Sequence, residues 1–267
     1  MPFTLAHAAA AYPLRRTRLI LSAVIIGTFA PDLEFFLRFG PRGPFGHTAR
    51  GFFLLSMPAA FMMYWIFHEV VKEPLAALLP CAARQRISLG SCVLSFRKPL
   101  QLLLVLVSLL IGGATHILWD SFTHASYWPG RHIPELRDAV TLPLVGVVHY
   151  YKLFQYGSTV FGLVVVALWF LHWVRTAPIQ PEPAGKGIPV SHVRIARVLI
   201  PATALLGAFL RAVLDARHLD TPRGIEIWVG DFVVAAISMA WVELMIWGFT
   251  LPPPRPSLAA PAPGSIK

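Results

Sequence analysis

Long apolar stretches are the feature that most constrains how this chain can fold. Short polar or proline-rich connections separate six of them, at residues 19–31, 51–67, 100–122, 158–174, 195–214 and 232–251. Only 13% of the 267 residues are charged, whereas soluble domains carry about 25%. The sequence therefore predicts an all-α integral membrane protein, a polytopic helical bundle with about six transmembrane segments.

The first apolar stretch differs from the others in length. Its uncharged part, residues 19–31, has 13 residues, whereas a helix needs about 20 to cross the hydrocarbon core. Pro31 then interrupts the helix, because proline has no backbone N–H to donate. Re-entrant backbone is tolerated at membrane depth where protein buries it, so a re-entrant hairpin is the alternative to a full crossing.

The distribution of proline divides the chain into four predicted parts. Residues 1–175 form a membrane core domain, residues 176–192 a proline-rich linker, residues 193–251 a transmembrane hairpin, and residues 252–267 a disordered tail. The tail has the proline-rich, weakly hydrophobic composition that is typical of disorder.

The net charge of +10 is spread over the loops. In a membrane protein this pattern indicates topology and contact with anionic lipid head groups, and no nucleic-acid partner is expected. Under six crossings, the loops on the side of the termini carry 14 of the 23 Lys and Arg residues. The positive-inside rule then places the termini in the cytoplasm, in a bacterial inner membrane.

A stripe of metal-ligating residues ends the third apolar stretch. His116, Asp120 and His124 follow one another at intervals of four within GGATHILWDSFTH, so they share one face of a helix. Imidazole and carboxylate groups are ligands for zinc and similar divalent cations. The alternative is a helix end that emerges into water, where polar side chains cost little.

Other candidate residues lie in the first 50 positions. Asp32 and Glu34 follow Pro31, where carboxylates must face protein, water or a cation. Alternatively, Asp32 only caps the next helical turn. His47 lies in the glycine- and proline-rich loop that follows, and His7 lies among alanines. For both histidines the alternative is an ordinary surface position.

The predicted topology brings most of these residues together. Asp32, Glu34, His47, His116, Asp120 and His124 all lie at the outer membrane face under six crossings. His7 lies at the inner side, unless the first segment is re-entrant and returns it to the cluster.

Five stretches of the chain resemble a known family. MPFTLAHAA, APDLEFF, GHT, GGATHILWDSFTH and YKLFQYGSTVFG are similar to an uncharacterised bacterial membrane family, a domain of unknown function. The order of the His, Pro-Asp, Gly-His-Thr and His-x3-Asp-x3-His motifs resembles the YdjM-like inner-membrane proteins, named as predicted metal-dependent hydrolases. These in turn are distantly similar to zinc-dependent phospholipase C and related nucleases.

The resemblance implies a divalent metal, zinc above all, as cofactor, with the ligands His7, Asp32, His47, His116, Asp120 and His124. It also implies a membrane-bound hydrolase. Asp120 and Glu34 are the predicted catalytic carboxylates, and Glu34 acts either as a general base or by orienting a ligand. A site at the lipid–water boundary suits a phosphoester or a lipid-derived ester as substrate.

Two other function classes stay open at this point. Intramembrane His and Asp residues also occur in transporters of divalent cations or protons, and a polar cluster can serve only to lock helices together. No GxSxG motif and no phosphate-binding GxxxxGK[ST] loop is present in the sequence, so neither a serine hydrolase nor a nucleotide-binding protein is indicated. Cys81 and Cys92 have no metal-binding spacing.

Overall fold

The computed structural model describes residues 3–89, 98–143, 146–180, 187–214 and 224–251. The chain begins with a 3-10 helix, Thr4–Ala11, and a short turn, Pro13–Arg16. Three short elements then replace the single segment predicted for residues 19–37: α1 (Leu21–Gly27), a 3-10 turn (Ala30–Asp32) and α2 (Leu33–Leu37). The break falls at Pro31, which cannot donate a helical hydrogen bond.

Five longer helices make up most of the remaining chain. After a 3-10 turn, Phe45–His47, α3 runs through residues Ala49–Leu78 and includes two π-helical turns, Phe52–Ser56 and Phe67–Val71. The short α4 (Cys81–Arg84), α5 (Pro99–Thr123) and the short α6 (Trp128–His132) follow. The last three are α7 (Tyr150–Thr176), α8 (Val190–Leu214) and α9 (Gly224–Thr250).

Sheet structure in the described residues is limited to one small hairpin. Strands β1 (Ala139–Leu142) and β2 (Gly146–His149) pair antiparallel, with Ala139 opposite His149. Helices α3, α5, α7, α8 and α9 are each long and apolar enough to cross a membrane. The prediction of an integral membrane protein made of helices is therefore confirmed, and a sixth, re-entrant segment stays a prediction.

The carboxy-terminal helices differ in extent from their predicted counterparts. Helix α9 begins at Gly224, eight residues before the predicted start at residue 232, because its two early acids have partners. Glu226 lies 3.3 Å from Lys152, and the buried Asp231 lies 3.4 Å from Arg42. Helices α8 and α9 pack together and against α3, where Leu244 contacts a buried core with Val70 and Val71.

The division of the chain into four domains stays a prediction. Helix α7 ends at Thr176 and α8 begins at Val190, which leaves a shorter connection than the predicted linker, 176–192. Residues 181–186 of that linker and the tail, 252–267, lie outside the described residues.

Close contact between α1 and α5 positions the amino-terminal region. A Cβ atom on Gly112 would overlap the Val24 carbonyl oxygen, and one on Gly27 would overlap the Leu109 carbonyl oxygen. The two backbones therefore approach each other as closely as only glycine permits. The buried side chains beside this contact include Ala23, Ile26, Tyr64, Val105 and Leu109.

We expect Gly112→Ala to destabilise the protein by about 1–3 kcal/mol, the usual cost of overpacking a tight contact. This corresponds to a Tm lower by about 2–8 °C, measured by thermal unfolding in detergent. Gly157→Ala is the matched control, because a Cβ atom there meets open space and alanine favours a helix. An equal Tm for the two variants would contradict the close α1–α5 contact.

Candidate metal site

Four separate parts of the chain contribute side chains to one buried cluster. His7 comes from the amino-terminal 3-10 helix, Asp32 from the turn before α2, and His47 from the turn before α3. His116 and Asp120 lie one turn apart on α5. We call these five residues the His/Asp cluster, and all except His47 have no exposed surface.

Asp120 contacts three imidazoles through its two oxygens. Its Oδ1 lies 3.4 Å from His7 Nε2, and its Oδ2 lies 3.4 Å from His116 Nε2 and 3.7 Å from His47 Nε2. The carboxylate thus lies between His7 on one side and the other two histidines on the other.

Asp32 approaches the same histidines from a different element. Its Oδ1 lies 3.3 Å from His47 Nε2 and 3.7 Å from His116 Nε2. Its Oδ2 accepts a hydrogen bond of 2.6 Å from the Thr4 hydroxyl. One oxygen is therefore held in place by Thr4, and the other faces the imidazoles.

A backbone carbonyl fixes the orientation of His116. His116 Nδ1 lies 2.7 Å from the carbonyl oxygen of Thr28. Because a carbonyl can only accept, Nδ1 carries the proton and Nε2 presents its lone pair to the cluster. Metal-binding histidines commonly have this arrangement, with the second ring nitrogen donating to a carbonyl or a carboxylate.

His7 is fully buried beside two aromatic rings. Its ring stacks on His116 with 3.8 Å between centroids, and Trp119 contacts it edge-on at 5.4 Å. Burial favours the neutral imidazole, which is the form that binds metal ions.

Seven buried atoms of the cluster have no hydrogen-bond partner among the described residues. They are both ring nitrogens of His7, both carboxylate oxygens of Asp120, Nε2 of His47 and of His116, and Oδ1 of Asp32. Buried polar atoms are almost always hydrogen-bonded, and a buried charge without a partner is costly. These seven atoms are therefore the ones that a bound cation would satisfy.

The spacing of these atoms fits a metal ion. Atoms of His7, His116 and Asp120 lie within 4.8 Å of one another, as do atoms of Asp32, His47 and His116. Two ligands that share a tetrahedral zinc at about 2.0–2.1 Å are about 3.3–3.4 Å apart. The nitrogen–oxygen distances within the cluster, 3.3–3.7 Å, are close to that value.

His124 lies at the edge of the cluster. Its Nδ1 is 3.0 Å from the Asp120 carbonyl oxygen but 4.0 Å from the Asp120 carboxylate, and 23% of its side chain is exposed. It belongs to neither group of three. The carbonyl accepts the proton on Nδ1, so the lone pair of His124 is on Nε2, and its predicted role as a ligand stays a prediction.

Glu34 lies outside the cluster and forms a hydrogen bond with the loop that carries His47. Its Oε1 pairs with Arg38, and its Oε2 accepts a 2.8 Å hydrogen bond from the backbone N–H of Gly46. The Gly46 carbonyl in turn accepts from the Ser56 hydroxyl at 3.1 Å. The two peptide groups that flank the Gly46 α-carbon are thereby fixed, so these contacts favour the orienting role of Glu34 over that of a general base.

Sequence reasoning missed three of the supporting groups. Thr4 is typical of a helix cap, yet Phe3 occupies that position and the Thr4 hydroxyl donates to Asp32. The Thr28 carbonyl is a backbone group, which no side-chain pattern reveals. Trp119 follows His116 by three residues, and this helical spacing was the available signal for its contact with the cluster.

We expect Glu34→Ala to speed hydrogen exchange of the Gly46 amide about tenfold or more, because hydrogen bonds to charged groups contribute about 1.5–3 kcal/mol. Arg38→Ala is the control: it removes only the ion pair, and the Arg38 side chain is 59% exposed, so exchange at Gly46 should stay nearly unchanged. Equal exchange in the two variants would contradict the orienting role.

Comparison with known families agrees with part of the sequence analysis. The chain belongs to the family described as a domain of unknown function, DUF4184, whose model matches residues 1–249. No curated protein and no solved structure matches the chain. The resemblance to an uncharacterised family is confirmed, and that to the YdjM-like proteins stays a prediction.

Proposed function

We propose that this member of the DUF4184 family is a membrane-embedded hydrolase that depends on a divalent metal, with zinc as the preferred ion. One observation carries the proposal: seven buried nitrogen and oxygen atoms converge in the His/Asp cluster without hydrogen bonds among the described residues. A divalent cation supplies the charge that two buried carboxylates require. Imidazole and carboxylate together form a typical zinc ligand set.

In this proposal the residues of the cluster divide between two ions. Asp32, His47, His116 and Oδ2 of Asp120 are the residues that would hold one ion, because these atoms lie 3.3–3.7 Å apart across the group. His7 and the Oδ1 atom of Asp120 would hold a second ion. His116 serves only the first, since its other nitrogen is bound to Thr28.

Contacts outside the cluster hold three parts of the site in place. Thr28 fixes the imidazole of His116, Thr4 fixes the carboxylate of Asp32, and Glu34 fixes the loop of His47. Such outer contacts raise the affinity of metal sites and limit their motion. A bound zinc ion would supply acidity to a water molecule, with a pKa near about 7, and polarise a phosphoryl or carbonyl oxygen. A phosphoester or a lipid-derived ester is therefore the proposed substrate.

The amino-terminal region follows a re-entrant path in this proposal. The Phe3 N–H donates to Thr159 on α7, and Tyr12 contacts Trp169, ten residues further along the same helix. The chain then returns along α5, from Ser108, which accepts from the Ile20 N–H, to His116. Residues 3–28 thus descend along one helix and return along another, which brings His7 to the cluster.

The charges favour a site at the outer face of a bacterial inner membrane. Arg15, Arg16 and Arg18 lie where the re-entrant path reverses direction. In this proposal that point is on the same side of the membrane as the other basic loops. That side carries 14 Lys and Arg residues, and the side of the cluster carries 9. The positive-inside rule places the basic side in the cytoplasm. With a re-entrant first segment, Phe3 lies on the outer side and the carboxy terminus lies in the cytoplasm.

We expect purified wild-type protein to contain at least one equivalent of zinc or a similar divalent ion, measured by inductively coupled plasma mass spectrometry. His116→Ala and Asp120→Ala should reduce the metal content about tenfold or more, because each removes a ligand that no neighbour replaces.

His132→Ala is the matched control for the metal measurement. His132 follows α5 in sequence, but its Nδ1 donates to the Trp128 carbonyl oxygen outside the cluster. The metal content of the His132→Ala protein should therefore equal that of the wild type. Monodisperse elution of each variant in detergent verifies folding. Negligible metal in every protein, the wild type included, would refute the metal site.

We expect the metal-loaded protein to hydrolyse a chromogenic phosphodiester or a short-chain phospholipid at neutral pH. Asp120→Asn should lower kcat/KM about a hundredfold or more, a loss of about 2.7 kcal/mol in transition-state stabilisation. His132→Ala should leave the rate unchanged. Metal binding without turnover of either compound would contradict hydrolysis and favour the helix-locking role.

A further inference from the structure

We propose that a groove between α5 and α7 binds one acyl chain of a membrane lipid and places the head group of that lipid at the His/Asp cluster. The inference deepens the proposed function and depends on it for the reaction, although binding of the chain is a separate property. The proposed substrate is a lipid that enters the groove from within the bilayer.

The groove lies between two helices that are apolar and long enough to span the membrane. It has a volume of about 450 Å³, within the range of about 300–1,000 Å³ for small-ligand sites. Half of its eight lining residues are aromatic, and the lining includes Trp119, Phe122, Thr123, Phe154, Gly157 and Phe161. Phe122, Phe154 and Phe161 are 46%, 54% and 63% exposed, so the groove is open at the surface of the two helices.

Two contacts connect the groove to the cluster. Trp119 lines the groove, and its indole ring meets the His7 ring at 5.4 Å. Thr123 lines the groove as well, and its hydroxyl lies 3.1 Å from His124 Nδ1 and 3.2 Å from the Asp120 carbonyl oxygen. A chain seated in the groove would therefore have its polar end beside the metal ligands.

The dimensions of the groove favour an acyl chain over a helix from another protein. Phe154 and Phe161 are seven residues apart on α7, about 10 Å along the axis, which is a third of the hydrocarbon thickness of about 30 Å. A transmembrane partner would instead need a contact surface over the whole span. Gly157 leaves a gap in the wall, since a Cβ atom there meets nothing within 4 Å.

A second groove of similar size serves as an internal reference. It lies between α8 and α9, has a volume of about 500 Å³, and is lined by residues such as Thr203, Glu243 and Trp247. None of the cluster residues lines it. Lipids of the surrounding bilayer should contact both grooves, whereas a lipid held for the site should occupy only the α5–α7 groove.

The test uses the full-length protein in detergent and a phosphatidylglycerol with a photoreactive diazirine in the middle of one acyl chain. After irradiation, mass spectrometry of peptides locates the label. We expect residues 119–123 and 154–161 to carry at least five times more label than the α8–α9 groove. Gly157→Phe and Ser158→Phe, which fill the groove, should reduce this label at least fivefold.

Val160→Phe is the matched control, because Val160 is 63% exposed on the same helix and does not line the groove. Its labelling should stay within twofold of the wild type. Asp120→Ala should also keep the label, so failure of the metal site and failure of the groove are distinguishable. Equal labelling of both grooves, or full labelling of the filled variants, would overturn the proposal. Conversion of a dimer to a monomer by Gly157→Phe, seen by light scattering, would overturn it too and assign the groove to a second copy.

Discussion

The burial of two carboxylates beside three imidazoles is the constraint on which the rest of this structure depends. Asp32 and Asp120 have no exposed surface, and a buried charge is tolerated only with a partner. Their partners come from the amino-terminal helix, a loop and α5, so the fold must bring four distant parts of the chain together. The glycine contacts of α1 with α5 and the Glu34–Gly46 hydrogen bond serve this purpose, because the first position the helix that carries His116 and Asp120 and the second positions the loop that carries His47.

Exposure within the site is uneven, and this indicates how a molecule can reach it. His7 and His116 are fully buried, whereas 12% of the His47 side chain and 23% of the His124 side chain are exposed. Both partly exposed histidines lie at a helix end: His47 precedes α3, and His124 follows α5. Thr123 lines the α5–α7 groove and lies beside His124, so a head group at His124 and an acyl chain in the groove are compatible.

The sequence predicted the residues of the site better than the path of the chain that assembles them. The four-residue spacing of His116 and Asp120 on an apolar helix places both on one face, as observed, and Pro31 predicted the break before Asp32. The position of His7 beside His116 could not be derived from side-chain spacing, because it depends on how closely α1 packs against α5, which the contacts at Gly27 and Gly112 determine. Glu34, a predicted catalytic carboxylate, and His124, a predicted ligand, contact backbone groups at Gly46 and Asp120, which side-chain spacing does not reveal.

A purely structural role for the cluster accounts poorly for its chemistry. Helices within a membrane are held together most simply by close packing and by satisfied hydrogen bonds between them, and this chain does so elsewhere, as where the Ile20 N–H at the start of α1 donates to the Ser108 hydroxyl on α5. Buried ionic groups are weak contributors to stability even when fully paired. The cluster instead keeps seven buried atoms unpaired among the described residues, while its outer atoms are bound to Thr4 and Thr28. The outer atoms of these side chains are hydrogen-bonded and the inner atoms are not, which is the arrangement expected of metal ligands.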